Sequence, residues 1–123
     1  KMLINANSDK PIFVQISEGI EDAIISGVFP EETQIPSTTE ISAQYKINPA
    51  TALKGINILV ESGVIYKKRG VGMFVSQGAT AKILSVRQKE FFDSYIKTLL
   101  GEAKKLNITK EEIIKMIERE TNE

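Results

Sequence analysis

Three short clusters hold the side chains best suited to meeting a polyanion. They are Ser37-Thr38-Thr39, then Asn48, Ala50, Thr51 and Lys54, then Lys67-Lys68-Arg69-Gly70-Val71-Gly72. Small hydroxyl and amide heads at a helix start, beside backbone amides with no helical acceptor, suit phosphate oxygens. Lys54 is long enough for a guanine edge or a phosphate, and the Ala50 methyl suits a thymine methyl, with Asn57 a turn further on. Lys68 and Arg69 suit a narrow minor groove, which attracts cations. Gly70 and Gly72 would let the same loop approach the sugars closely. Each residue also has a plainer reading, since asparagine caps helices, glycine makes turns and charge runs are solvated faces. The combination, more than any one member, points to double-stranded DNA.

Other chemistries have little to work with. The chain has no histidine and no cysteine, so the commonest general base, the commonest metal ligand and thiolate sites are all missing. No metal, cofactor or catalytic cluster is expected, and a small hydrolase built on carboxylates has no motif behind it. The absence of cysteine also fits a reducing cytoplasm. Formal net charge is zero, with 16 basic and 16 acidic side chains, which alone argues against a nucleic-acid partner. The distribution reverses that reading. Residues 1–45 carry two basic and seven acidic side chains, whereas residues 46–75 carry five basic and one acidic. A phosphate backbone responds to the local patch it meets. No apolar run approaches the roughly 18 residues that cross a bilayer, and no secretory signal opens the chain. Lys1 before Met2 is expected to be the remnant of an expression tag.

The elements that must position these clusters are legible as patterns. Ile12, Phe13, Ile16, Ile20, Ala23 and Ile24 follow one helical face, with Ser8 or Asp9 as cap, Pro11 in the first turn and Gly27 as stop. Val28 to Pro36 has two prolines and no period, so it reads as a connection with a short extended piece. Ser37-Thr38-Thr39-Glu40 is a capping box that opens a short helix burying Ile41 and Tyr45. Asn48-Pro49 opens another, burying Ala52, Ile56, Leu59 and Val60 and stopping at Gly63. Two helices so close together form a helix-turn-helix, whose second member enters the major groove. Val64 to Arg69 and Met73 to Ser76 flank a glycine-bearing tip, the pattern of a β-hairpin wing.

Beyond Gln77 the character is helical from Ala79 to about Lys105, with Gly101 a weak point near the end. Thr109-Lys110-Glu111-Glu112 caps a last helix with Ile113, Ile114 and Ile117 inward. Phe91, Phe92, Tyr95, Leu99, Leu100, Ile113, Ile114 and Ile117 give more apolar surface than two short helices can hide from each other, and Leu84 is expected on the same dimerisation surface. That surplus predicts a homodimer. The competing reading folds them back on their own chain. The expected architecture is mainly α with a small β-hairpin, residues 1–77 forming a winged helix-turn-helix and residues 78–123 a helical dimerisation domain.

The run Pro11-Ile12-Phe13, Gln15-Ile16, Gly27, Ile35-Pro36-Ser37-Thr38-Thr39-Glu40-Ile41, Ile47-Asn48-Pro49-Ala50-Thr51, Leu59, Gly63-Val64-Ile65 and Arg69-Gly70-Val71-Gly72-Met73-Phe74-Val75 resembles the GntR family of bacterial regulators, across residues 10–76. The short tail resembles that of the YtrA-like subfamily. That resemblance implies a helical hairpin for dimerisation, a palindromic operator and repression of operons, often for membrane transporters. The chain departs from the family pattern at Thr39, Pro49 and Leu53, where relatives usually place arginines, so specific base readout does not carry over. The Asn-Pro helix start and a basic residue at Lys54 are at home in that subfamily. No residue cluster points to a small-molecule effector. The alternative function is a winged helix whose third helix packs on a protein partner, with the wing idle. Salt dependence separates the two readings, since phosphate contacts weaken steeply as salt is added.

Overall fold

The computed structural model describes residues 4–121, so Lys1 and the tag reading attached to it lie outside the described residues. The chain divides into two compact units, Lys1–Ser85 and Val86–Glu123.

In the first unit, helix α1 (Ile12–Ile25) places Ile16, Ile20 and Ile24 on one buried face. Neither Ser8 nor Asp9 caps it; Pro11 holds the cap position without a side-chain bond. The Ser8 hydroxyl instead accepts from the Lys10 amide, and the Gln15 carboxamide ties the entry segment down by donating to Asn5 O and Lys10 O. A glutamine one turn inside the helix therefore anchors the entry segment, while the first-turn amides of α1 have no side-chain cap. Helix α2 (Thr38–Tyr45) opens with a full capping box: Glu40 N donates to Ser37 Oγ at 3.1 Å and Ser37 N to Glu40 Oε1 at 2.8 Å. Ile41 is buried, while Tyr45 is only half-buried against the core.

The turn to helix α3 (Pro49–Glu61) reverses at Lys46, whose φ of 54° is left-handed. Ser42, buried, secures that turn by donating its hydroxyl to Ile47 O at 2.7 Å. Asn48 Oδ1 accepts from Ala50 N at 2.7 Å, with Pro49 in the first turn. Ala52, Gly55, Ile56 and Leu59 form the buried stripe of α3. Val60, expected inside, is exposed, because it lies about 100° further round the helix than Leu59. At Gly55 a Cβ would stand 2.7 Å from Phe13 O, so α1 crosses α3 at a point where only glycine fits.

Strands β1 (Ile65–Lys68) and β2 (Gly72–Val75) pair antiparallel, Ile65 opposite Val75 and Lys68 opposite Gly72. Ile65 and Val75 point into the core. The preceding connection runs along the outer edge of β2, with Glu32 N donating to Val75 O, Val75 N to Thr33 O and Ile35 N to Met73 O. Helix α4 (Ala79–Phe91) starts on the Glu31 carboxylate, which accepts from Gly78 N at 2.8 Å and Thr80 N at 3.2 Å. Ala79 and Ile83 belong to the core of the first unit, which carries that unit beyond residue 77 to Ser85.

The second unit contains the end of α4, a π-helical turn (Phe92–Ile96), α5 (Lys97–Lys105) and α6 (Lys110–Thr121). Sequence periodicity predicts a helix from Ala79 to about Lys105, with Gly101 as its weak point, before the last one. The backbone stays helical through Gly101 but widens at Phe92–Ile96 instead. Asn107, with φ 58°, turns the chain, and Thr109 and Glu112 close the second capping box. Ile113 is half-buried, whereas Ile114 and Ile117, expected inward, are exposed. The fold is thus a winged helix-turn-helix followed by a helical region, mainly α with one small hairpin. No described helix is long and apolar enough to cross a membrane.

Candidate nucleic-acid interface

The interface candidates all lie in the first unit. At the start of α2, Ser37 and Thr39 are exposed and Thr38 is half-buried. The Ser37 oxygen is already an acceptor for Glu40 N, and its remaining lone pair and proton face the Glu40 side chain and the exposed surface. The two amide and hydroxyl contacts from Ser37 hold the Glu40 carboxyl below its ordinary value. Glu40 is therefore a fixed negative charge near a surface otherwise suited to phosphate.

Along α3, Asn48, Pro49, Ala50, Leu53, Lys54 and Asn57 are exposed, while Thr51 is half-buried. Thr51 therefore offers less surface than its sequence position suggests. Lys54 does not swing freely: its Nζ sits 4.0 Å from the centre of the Phe13 ring. The ammonium is held against the aromatic face, which draws cations through the ring quadrupole. Because the same crossing needs Gly55, one helix contact both packs the core and aims a cation. Sequence reasoning singles out Lys54 but not Phe13 or Gly55. The available signal was a glycine in mid-helix, where it weakens the helix unless something must come close.

In the wing, Lys67, Lys68, Arg69, Gly70 and Val71 are exposed. Lys68 Nζ lies 4.5 Å from the centre of the Phe74 ring, which stacks on Tyr66 at 5.9 Å. The Tyr66 hydroxyl donates to Glu32 Oε1 at 3.0 Å, and that bond pushes the tyrosine up from its ordinary value. A ladder from Glu32 through Tyr66 and Phe74 to Lys68 stiffens one face of the hairpin. Gly70 has open space around it, as a loop tip should. Gly72 has a different task. Its φ is 147°, and the place of its missing side chain is taken by Gln34, whose amide donates to Val71 O at 2.9 Å. Gly72 thus accommodates a clamp from the protein itself.

Of the residues expected at a dimer surface, Leu84 falls in the first unit and is exposed. Phe91, Phe92, Tyr95, Leu99 and Ile117 are exposed in the second, and Ile113 is half-buried. The Phe91 and Tyr95 rings pair at 5.4 Å.

Residues 13–75 match the family described as bacterial regulatory proteins, gntR family. The chain belongs to the gntR family. Among gntR relatives, the chain is 26% identical over 110 residues to the HTH-type transcriptional regulator YhcF of Bacillus subtilis (strain 168), covering 89% of each protein. It is 32% identical over 73 residues to the regulator YurK of the same organism, 59% of this chain but 30% of YurK. With the HTH-type transcriptional repressor YtrA of that organism it shares 27% over 81 residues, 66% of this chain and 62% of YtrA. Among solved structures, a gntR-family putative transcriptional regulator from Bacteroides thetaiotaomicron superposes with a TM-score of 0.73 at 34% identity, over 89% of this chain and 95% of that one. The DNA-binding domain of AraR in complex with its operator ORX1 superposes with a TM-score of 0.56 at 28% identity, over 62% of this chain and 95% of that one. Membership rests on the winged unit, the part that holds every interface residue above.

Proposed function

We propose that this chain is a sequence-specific DNA-binding transcription regulator that acts in the bacterial cytoplasm as a homodimer, repressing from an operator of two half-sites. The observation that carries the reading is the joint exposure of Lys54 at the helix and of Lys68 and Arg69 at the wing, two of them braced on aromatic rings. In this reading the start of α3 enters the major groove and the wing reaches the adjacent minor groove. Ser37, Thr38, Thr39, Asn48 and Thr51 hold phosphates, and Gly70 brings the loop tip near the sugars. The operator complex of the AraR domain supports double-stranded DNA as the partner. The repressor role is supported by the name of YtrA and by that of NagR, a repressor 34% identical over 76 residues, of which this chain spans 31%.

One winged unit makes few contacts, so pairing two half-sites is the natural way to gain affinity. The second unit supplies a surface for pairing: Phe91, Phe92, Tyr95, Leu99, Ile114 and Ile117 are all exposed, beyond what an isolated helical pair leaves in water. The test is sedimentation of the full chain alone and with a duplex carrying an inverted repeat. Two chains in solution and two per duplex support the proposal. A chain that stays monomeric and binds one per duplex removes the dimer, and one that binds no duplex removes the whole reading.

A further inference from the structure

Leu53, in the second turn of α3, is 47% exposed. A single exposed leucine needs no explanation. Leu53, however, shares its side of the helix with Pro49 and Ala50, four and three residues earlier, and both are exposed as well. Two of the polar groups beside them have partners within the chain. The Asn48 side-chain oxygen accepts from Ala50 N, and the Lys54 ammonium lies on the Phe13 ring. The side of α3 that carries Pro49, Ala50 and Leu53 therefore presents methyl and methylene groups where a fork of donors would be needed to read guanine.

The base-edge group that matches such a surface is the C5 methyl of thymine, the only apolar feature of the major-groove edge. We propose that Ala50 and Leu53 read thymine methyl groups, so that the half-site is rich in A·T pairs beneath the start of α3. This rests on the DNA-binding reading above and adds the class of base read. The wing is consistent with it, because narrow minor grooves of A·T tracts are those that attract cations such as Lys68 and Arg69.

The test enriches the full chain's preferred duplexes from a random pool. Thymines in a selected duplex are then replaced one at a time by deoxyuridine, which removes only the methyl group. The proposal expects A·T pairs at the positions under α3, and a loss of about three- to fivefold for each contacted methyl, the worth of one buried carbon. Leu53→Ala should bind more weakly and no longer distinguish thymine from deoxyuridine at one position. As Leu53 is exposed, its thermal midpoint should be unchanged, and the deoxyuridine series on the unaltered chain is a test that needs no variant at all. Selected duplexes with G·C pairs there, or indifference to deoxyuridine at every position, would overturn the thymine reading while leaving DNA binding intact. A pool that yields no preferred duplex would overturn both the thymine reading and the sequence-specific regulator itself.

Discussion

The Lys54 ammonium stands 4.0 Å above the centre of the Phe13 ring, so the cation of the recognition helix is aimed by a residue of α1. The backbone that carries the ring is held close to α3 at Gly55, where the Phe13 carbonyl occupies the space of an absent side chain. Core packing and surface charge are thus parts of a single contact.

Replacing Phe13 by leucine keeps apolar bulk and removes the ring face. An exposed cation–π contact is worth about 0.5–1 kcal/mol, so duplex affinity should fall roughly two- to fivefold. Fluorescence anisotropy at fixed salt reads this directly. An unchanged Kd would mean that Lys54 finds its position without the ring.

The two wing glycines should separate cleanly. Gly72→Ala places a side chain at φ 147° and against Gln34, whereas Gly70→Ala meets strain at φ 77° but no neighbour. Strained positions of this kind cost on the order of 1–3 kcal/mol. Thermal unfolding should therefore show the larger loss for Gly72→Ala, together with weakened DNA binding. Equal losses for the two would show that the Gln34 clamp contributes nothing.

Acid should loosen the start of α4. The amides of Gly78 and Thr80 hold the Glu31 carboxyl below its ordinary value of 4.5. A carboxyl depressed in the folded state stabilises fully above its unfolded value and loses that contribution as the pH falls through the folded one. The thermal midpoint of the wild type should accordingly drop below about pH 4.5. Glu31→Gln should be less stable at neutral pH and should show a shallower acid decline. Parallel curves for the two proteins would remove Glu31 from the acid response.

Much of this was legible in the sequence because it is written in local rules. Ser37 with Glu40, Asn48 with Pro49, and Thr109 with Glu112 announce helix starts through spacing alone, and the hairpin follows from β-rich residues around Gly70 and Gly72. Contacts between distant segments were not. Gln15 anchoring the entry to α1, Glu31 capping α4, and Gln34 over Gly72 all depend on which loops meet in space. The π-helical turn at Phe92–Ile96 leaves no mark on a three-to-four-residue period. Val60 was misplaced because an apolar residue beside Leu59 satisfies the pattern whether or not the packing reaches it.

The central claim is that Lys54, Lys68 and Arg69 together form a surface for the DNA backbone and grooves. Its most direct test is duplex affinity measured across a salt series for the full chain and for the variant carrying Lys54→Ala, Lys68→Ala and Arg69→Ala. For the unaltered chain, log affinity should fall linearly with log salt, by about 0.9 per neutralised phosphate. The triple variant should keep its thermal midpoint, bind at least about tenfold more weakly and show a shallower slope. Equal affinities and equal slopes for the two proteins would contradict the account.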